Sequence, residues 1–253
     1  MPTQNVQIAT LPFIYASAAP LTWLSTTTLT LPAQQVRDST DAYDIVISAP
    51  LTLSTAYNAA NGLVNGLDVG TIAASTWYYV WAIGDSRNYN AGASLISLSS
   101  TTPTLPKGYD VFRLRGAVLT DGSSHLLQFW TWGQNAAFNL LWDSTIAAVT
   151  GGVATAFATV SVAAGVPPID ATMALMDVSL IGNSAGNAVT FRVTGSSATT
   201  NQRAISTVAT TVAQLAEISL LTKLATGNAS IDYKVTSASD TFNLRVAGFS
   251  LST

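Results

Sequence analysis

The chain contains one histidine, His125, and no cysteine. Any Ser-His-Asp triad must therefore be built on His125. Asp121, Ser123 and Ser124 lie close to it in sequence and have the right side chains. They share one turn with it, however, and no Gly-x-Ser-x-Gly elbow between strand and helix accompanies them. The residue types fit a turn-edge histidine. One imidazole and no thiolate leave no zinc site of the usual kind. Asp38, Asp41 and Asp44 are near neighbours but lack the central Gly and closing Glu of an EF-hand loop, so they read as a solvated turn. Glycoside hydrolysis needs two facing carboxyl groups. Nothing in the spacing of the 13 acidic residues singles out such a pair. Gly62 to Gly70 has no following Lys-Ser/Thr and no helix, so it is no phosphate loop. We assign no catalytic residue, metal site or cofactor from the sequence, and expect no enzymatic activity.

Aromatic residues offer the remaining chemistry. Phe129-Trp130-Thr131-Trp132 and Trp142 form a cluster. Indoles exposed on a sheet stack on the apolar faces of sugars; buried, they fill a core or a subunit interface. Trp130, Trp132 and Trp142 are the candidate interface or glycan contacts. A second group lies in Thr76–Gly84. Trp77, Tyr79 and Trp81 alternate there, so they share one face of a strand, and Tyr78, Val80 and Ala82 share the other. Two apolar faces predict a central strand, with Trp77, Tyr79 and Trp81 as a structural stripe.

The elements that must position these residues read as strands. Gly, Pro and Asn-Gly recur between short β-branched or aromatic runs, the spacing of a sandwich or barrel. Strands are expected at Tyr43–Ser48, Thr76–Gly84, Ser94–Ser99, Val111–Thr120 and His125–Trp132. In the second half they are expected at Ala156–Val162, Met173–Ile181, Ala188–Thr194, Glu217–Leu221, Ser230–Thr236 and Phe242–Leu251. Asp121-Gly122 fits a hairpin turn between Val111–Thr120 and His125–Trp132. Ser206–Leu215 is the one helical candidate and reads equally as a strand. No short internal repeat marks a solenoid or propeller.

Composition supports the same class. Hydrophobic residues make up 48% and charged residues only 9%, against roughly 25% charged in a typical soluble domain. Glu217 is the one Glu, and exposed helix faces use Glu and Lys heavily, so little helix is expected. So few charges put little repulsion between copies, which favours a homo-oligomer. The net charge of -3 and ten scattered basic residues offer no phosphate-binding patch, and no nucleic-acid partner is expected. The uncharged stretch between Asp143 and Asp170 is broken by Gly151-Gly152, carries Ser and Thr, and meets Pro167-Pro168. A membrane span needs about 20 predominantly apolar residues, and none is expected. The start of the chain lacks the basic and apolar regions of a secretory signal. All six Trp precede residue 143. This predicts an all-β chain of two antiparallel β-sandwich, jelly-roll-like domains, 1–143 and 155–253, joined by a linker at 144–154.

Residues 62–130 carry an ordered set of motifs. Gly66-Leu67-Asp68-Val69-Gly70 is followed by Thr76-Trp77-Tyr78-Tyr79-Val80-Trp81-Ala82-Ile83 and by Leu95-Ile96-Ser97-Leu98-Ser99. Then come Pro103-Thr104-Leu105-Pro106-Lys107-Gly108-Tyr109 and Arg113-Leu114-Arg115-Gly116-Ala117-Val118-Leu119-Thr120-Asp121-Gly122. This order resembles a block found in tailed-bacteriophage virion structural proteins. The second half is similar to their companion β module, through Val166-Pro167-Pro168, Ile231-Asp232-Tyr233-Lys234-Val235 and Leu244-Arg245-Val246-Ala247-Gly248-Phe249. Related chains often end in Gly-Tyr where this one has Gly-Phe. The resemblance implies a capsid decoration, minor capsid, head-fibre or tail-associated protein, and with the low charge and the size it leads us to expect a homotrimer. It implies a virion location after synthesis in the host cytoplasm, and partners such as the major capsid protein or host surface glycans. Gly66 and Gly70 are expected to supply positive φ around Asp68. Pro103 and Pro106 are expected to stiffen the connection that Gly108 ends.

Overall fold

The computed structural model describes residues 21–56, 64–132, 137–169, 172–198, 202–225 and 227–252. The chain is all-β, with sandwich-like packing of mostly antiparallel sheets and no helix among the described residues. It divides into two compact units, residues 1–143 with 252–253 and residues 144–251.

In the first unit, β1 (Thr22–Ser25), β2 (Thr28–Leu31) and β5 (Leu51–Ser54) form a three-stranded sheet, and β3 (Gln34–Arg37) pairs with β4 (Asp44–Ile47). A four-stranded sheet runs in the order β6 (Gly66–Leu67), β8 (Asn88–Ser97), β7 (Trp77–Asp85), β9 (Val111–Leu119). β6 joins it in parallel, β7 and β9 antiparallel. The β3–β4 hairpin lies so close to β8 that a Cβ on Gly92 would fall 2.2 Å from the Val46 carbonyl oxygen. Only glycine fits there. β10 (Phe129–Trp132) pairs with the start of β11 (Ala137–Gly152).

In the second unit, the later part of β11 is followed by β19 (Thr241–Ser252), β13 (Met173–Ile181) and β16 (Ala213–Leu221). The facing sheet is β12 (Ala158–Ser161), β18 (Asn228–Val235), β14 (Ala188–Val193) and β15 (Arg203–Ser206), with β17 (Lys223–Ala225) also on β18. Alternation places Ala174, Met176, Val178 and Leu180 of β13 inward, all buried. Phe242 meets Phe191 at 5.7 Å and Tyr233 at 4.9 Å between ring centroids. These apolar layers are what hold the two sheets together.

Three expectations differ from the structure. Residues 144–152 of the expected linker lie within β11, because the Ala- and Val-rich stretch has a ladder partner in β19. Ser206–Leu215 is no helix: β15 ends at Ser206, β16 begins at Ala213, and between them the chain turns, with Thr211 at φ 62°. The expected hairpin turn forms at Asp121, whose N–H bonds to the His125 carbonyl at 2.7 Å, but the pairing of Val111–Thr120 with His125–Trp132 that it starts is short. Thr120 and Leu126 make a single bridge around the Asp121 turn, and β10 takes β11 as its ladder partner. Among the described residues no helix is long and apolar enough to cross a membrane.

Candidate functional site

β10 and β11 place the tryptophan cluster. Their register sets Phe129 opposite Trp142, Trp130 opposite Leu141, Thr131 opposite Leu140 and Trp132 opposite Asn139. Directly opposed residues share a face. One face therefore holds Phe129, Thr131, Leu140 and Trp142, and the other Trp130, Trp132, Asn139 and Leu141. The first is interior: Phe129, Leu140 and Trp142 are buried, and the Thr131 hydroxyl donates to the Leu21 carbonyl. The second is surface. Trp130 is 61% exposed and Trp132 44% exposed, with Leu141 beside them.

The exposed face has a defined shape. Positions i and i+2 of a strand are roughly 6.6–6.8 Å apart, so the two indoles form a short ladder. The Trp130 Nε1–H donates to Asp143 Oδ1 at 3.3 Å, which anchors one ring. The Asn139 amide donates to the Trp132 carbonyl at 3.2 Å. Two aromatic surfaces, one carboxylate and one amide can stack on an apolar ring face and hydrogen-bond the hydroxyls at its rim. Sequence grouped Trp142 with these two. The structure separates it: Trp142 is 5% exposed, its ring centroid 5.9 Å from that of Trp77.

The Trp-Tyr strand is built differently. β7 has β8 on one side and β9 on the other. Tyr79 and Trp81 are buried and Trp77 is half-buried. Trp81 meets Phe112 edge-on at 5.4 Å and donates its Nε1–H to the Ser99 carbonyl. Burial pushes the Tyr79 phenol up to about 12. The other face, Tyr78, Val80 and Ala82, is fully buried, and the Tyr78 hydroxyl accepts the Ala73 N–H.

The motifs around β7 converge on one another. Asp68 is buried; its Oδ1 accepts the Val69 N–H at 2.8 Å and its Oδ2 accepts the Thr104 N–H at 2.9 Å. The carboxylate thereby ties the Gly-Leu-Asp turn to the Pro-rich loop. In that loop the Tyr109 N–H closes a turn on the Pro106 carbonyl, with Gly108 at φ 97°. Gly70 has φ 75°, but the residue of positive φ before Asp68 is Asn65, not Gly66, which lies in β6. β9 carries one extra residue opposite β7 between Gly116 and Leu114, namely Arg115. Arg115 is buried, and loss of hydration, with Arg113 nearby, lowers its guanidinium to about 10. A Cβ on Gly116 would fall 2.9 Å from Leu21 and the Phe138 ring.

The other candidates resolve as local structure. Asp38 is buried and accepts the N–H groups of Thr40, Ala42 and Tyr43. Asp41 pairs with Arg113 and Asp44 with Arg37, each at 3.1 Å. No group of three metal-ligating side chains occurs among the described residues. His125 Nδ1 lies 3.6 Å from Asp121 Oδ2. Asp121 accepts the His125 and Ser123 N–H groups, and these bonds hold its carboxyl below the usual aspartate value. Among the described residues no serine hydroxyl hydrogen-bonds to His125.

One concave feature escaped the sequence. Asp177, Ser179, Leu215, Glu217, Asn243 and Arg245 line an open groove of about 500 Å³ in the second unit. Register explains why: Asp177 is opposite both Glu217 and Arg245, residues far apart in the chain. The two carboxylates stand side by side on one sheet face, not across a cleft. Arg245 is committed to Thr145, through the hydroxyl at 2.6 Å and the carbonyl at 2.8 Å. No family model, curated protein or solved structure matches this chain.

Proposed function

We propose that the chain is a non-enzymatic structural protein of a tailed-bacteriophage particle: a homo-oligomeric capsid decoration, minor capsid or head-fibre protein. The observation that carries this reading is the use of the motif block. Its polar residues are spent on architecture. Asp68 fastens two loops through Val69 and Thr104, Tyr78 and Trp81 bond to backbone groups, and Gly116 makes room for Phe138. A block whose polar side chains fasten its own loops and strands suits a rigid scaffold. Quantitative mass spectrometry of gradient-purified particles tests the proposal. We expect this chain at fixed, multi-copy stoichiometry to the major capsid protein. Its loss from particles during purification would contradict it.

A second reading has its own observation, the exposure of Trp130 and Trp132. On this reading the chain is a tail-associated or head-exposed module that binds host surface glycans through that face. Apolar area of this kind on a surface marks a contact site. Screening host polysaccharides by indole fluorescence, with Trp130→Ala and Trp132→Ala as controls, separates the two readings. Silence across the panel leaves the face to a protein neighbour.

A further inference from the structure

β16 ends its sheet. It pairs with β13 over nine residues, from Ile181 opposite Ala213 to Met173 opposite Leu221, with no register shift. Among the described residues no strand takes its other edge. Such an edge presents a row of unpaired N–H and C=O groups, and natural proteins shorten, kink, charge or cover it. β16 is long and unbroken, has no proline, and carries one charge, Glu217. It is also apolar on the outside: Leu215 is 78% exposed and Leu221 46% exposed. An edge with no proline, no bulge and a single charge calls for a cover.

We propose that β16 pairs antiparallel with β16 of a second copy of this chain, across a two-fold axis at Ile218. A two-fold contact between like strands is automatically self-complementary. The register follows from chemistry. When two sheets continue each other, outward residues oppose outward residues, so one residue of β16 must face itself. Centring on Glu217 opposes two carboxylates, which is unfavourable. Centring on Ala216 sets Leu215 against Glu217, and centring on Ser219 sets Glu217 against Leu221. Centring on Ile218 sets Leu215 against Leu221 and Glu217 against Ser219 on the outer face. On the inner face it sets Ala216 against Leu220 and Ile218 against itself. Only this register gives every apolar side chain from Leu215 to Leu221 an apolar partner and keeps the carboxylates from opposing. The low charge of the chain, 9% with a net of -3, puts little repulsion between the copies. The contact supplies the oligomer of the preceding section and rests on that part of the reading, not on the phage assignment. It builds two-fold assemblies, where the phage-like block, the low charge and the size led us to expect a trimer.

The full-length chain has no native cysteine, so introduced thiols report the register directly. Directly opposed residues of an antiparallel ladder have Cα atoms roughly 4.5–5.5 Å apart, inside the span of a disulfide. Under mild oxidation the double variant L215C/L221C should yield a covalent dimer. L215C alone and L221C alone should not, because like positions then lie roughly 20 Å apart along the strands. Light scattering of the parent should give a dimer at micromolar concentration. Leu215→Lys, at an exposed position, should weaken association at least tenfold with an unchanged far-ultraviolet circular dichroism spectrum. A monomeric or trimeric parent, an unlinked double variant, linkage of L215C alone, or an L215K chain that assembles like the parent would each overturn the proposal. Incorporation into particles is scored separately, so failure here leaves the virion reading standing, and the reverse.

Discussion

Strands β7 and β10 carry the same chemistry in the same alternating pattern. β7 has ladder partners on both sides, and its Trp81 is 3% exposed; β10 has one ladder partner among the described residues, and its Trp130 is 61% exposed. The difference lies in what each strand is placed against. In β7 both faces are apolar, so the strand enters the middle of a sheet and its indoles meet Phe112 and Trp142. In β10 Phe129 and Thr131 take the inner face, and the two tryptophans are left to point outward. A tryptophan at alternating positions thus signals a strand, while the opposite face of that strand decides whether the indole is structure or surface.

The comparison can be broken most sharply by truncation. Trp81→Ala should cost about 3–5 kcal/mol, as for large aromatic deletions in a core, read by denaturant unfolding. A parent-like midpoint would mean that β7 is not the core of its sheet. Next in size is Asp68→Ala. It removes the charged acceptor of the part-buried Val69 and Thr104 N–H bonds that tie the two loops together, which should cost about 1–3 kcal/mol. Trp130→Ala and Trp132→Ala should change stability by no more than about 0.5 kcal/mol, as for surface substitutions. They should instead remove whatever contact the face makes. If either variant unfolds like Trp81→Ala, the face is interior and the comparison fails.

The smallest effect sharpens the Asp121 turn. The bonds from His125 and Ser123 depress the Asp121 carboxyl, so its contribution is present above the ordinary aspartate range and is lost as pH falls through the lowered value. The carboxyl carbon should titrate by NMR below 3.8, the ordinary aspartate value. Asp121→Asn should abolish that titration and leave the fold intact. A midpoint at or above the ordinary value would show that the turn does not hold the charge.

Much of the fold was legible because local pattern and tertiary role agree. Met173–Ile181 alternates cleanly and is strand over the same residues. Thr76–Gly84 is apolar on both faces and is central. Short strands such as Thr28–Leu31 and Gln34–Arg37 escaped notice, since four residues give too little alternation to stand out. Ala137–Gly152 was read partly as linker because its Gly pair looks like a break. Sixteen residues with a neighbouring strand outweigh the glycine cost. Of the candidate site, the residue types were legible and the faces were not. Trp142 parts from Trp130 because it opposes Phe129, and pairing register across a turn is not written in either strand alone. The Asp177, Glu217 and Arg245 row was hidden for the same reason.

We propose that this chain is part of a phage particle, with a packed aromatic interior in β7 and a small aromatic face on β10 left for contact. A cryo-electron microscopy reconstruction of the intact particle tests it most directly. We expect repeated density that accommodates the two β units of residues 21–252, with the Trp130 and Trp132 indoles against a neighbouring molecule or facing outward at a receptor-binding position. A particle whose density is fully accounted for by other chains, while this protein remains free in the lysate, would contradict it.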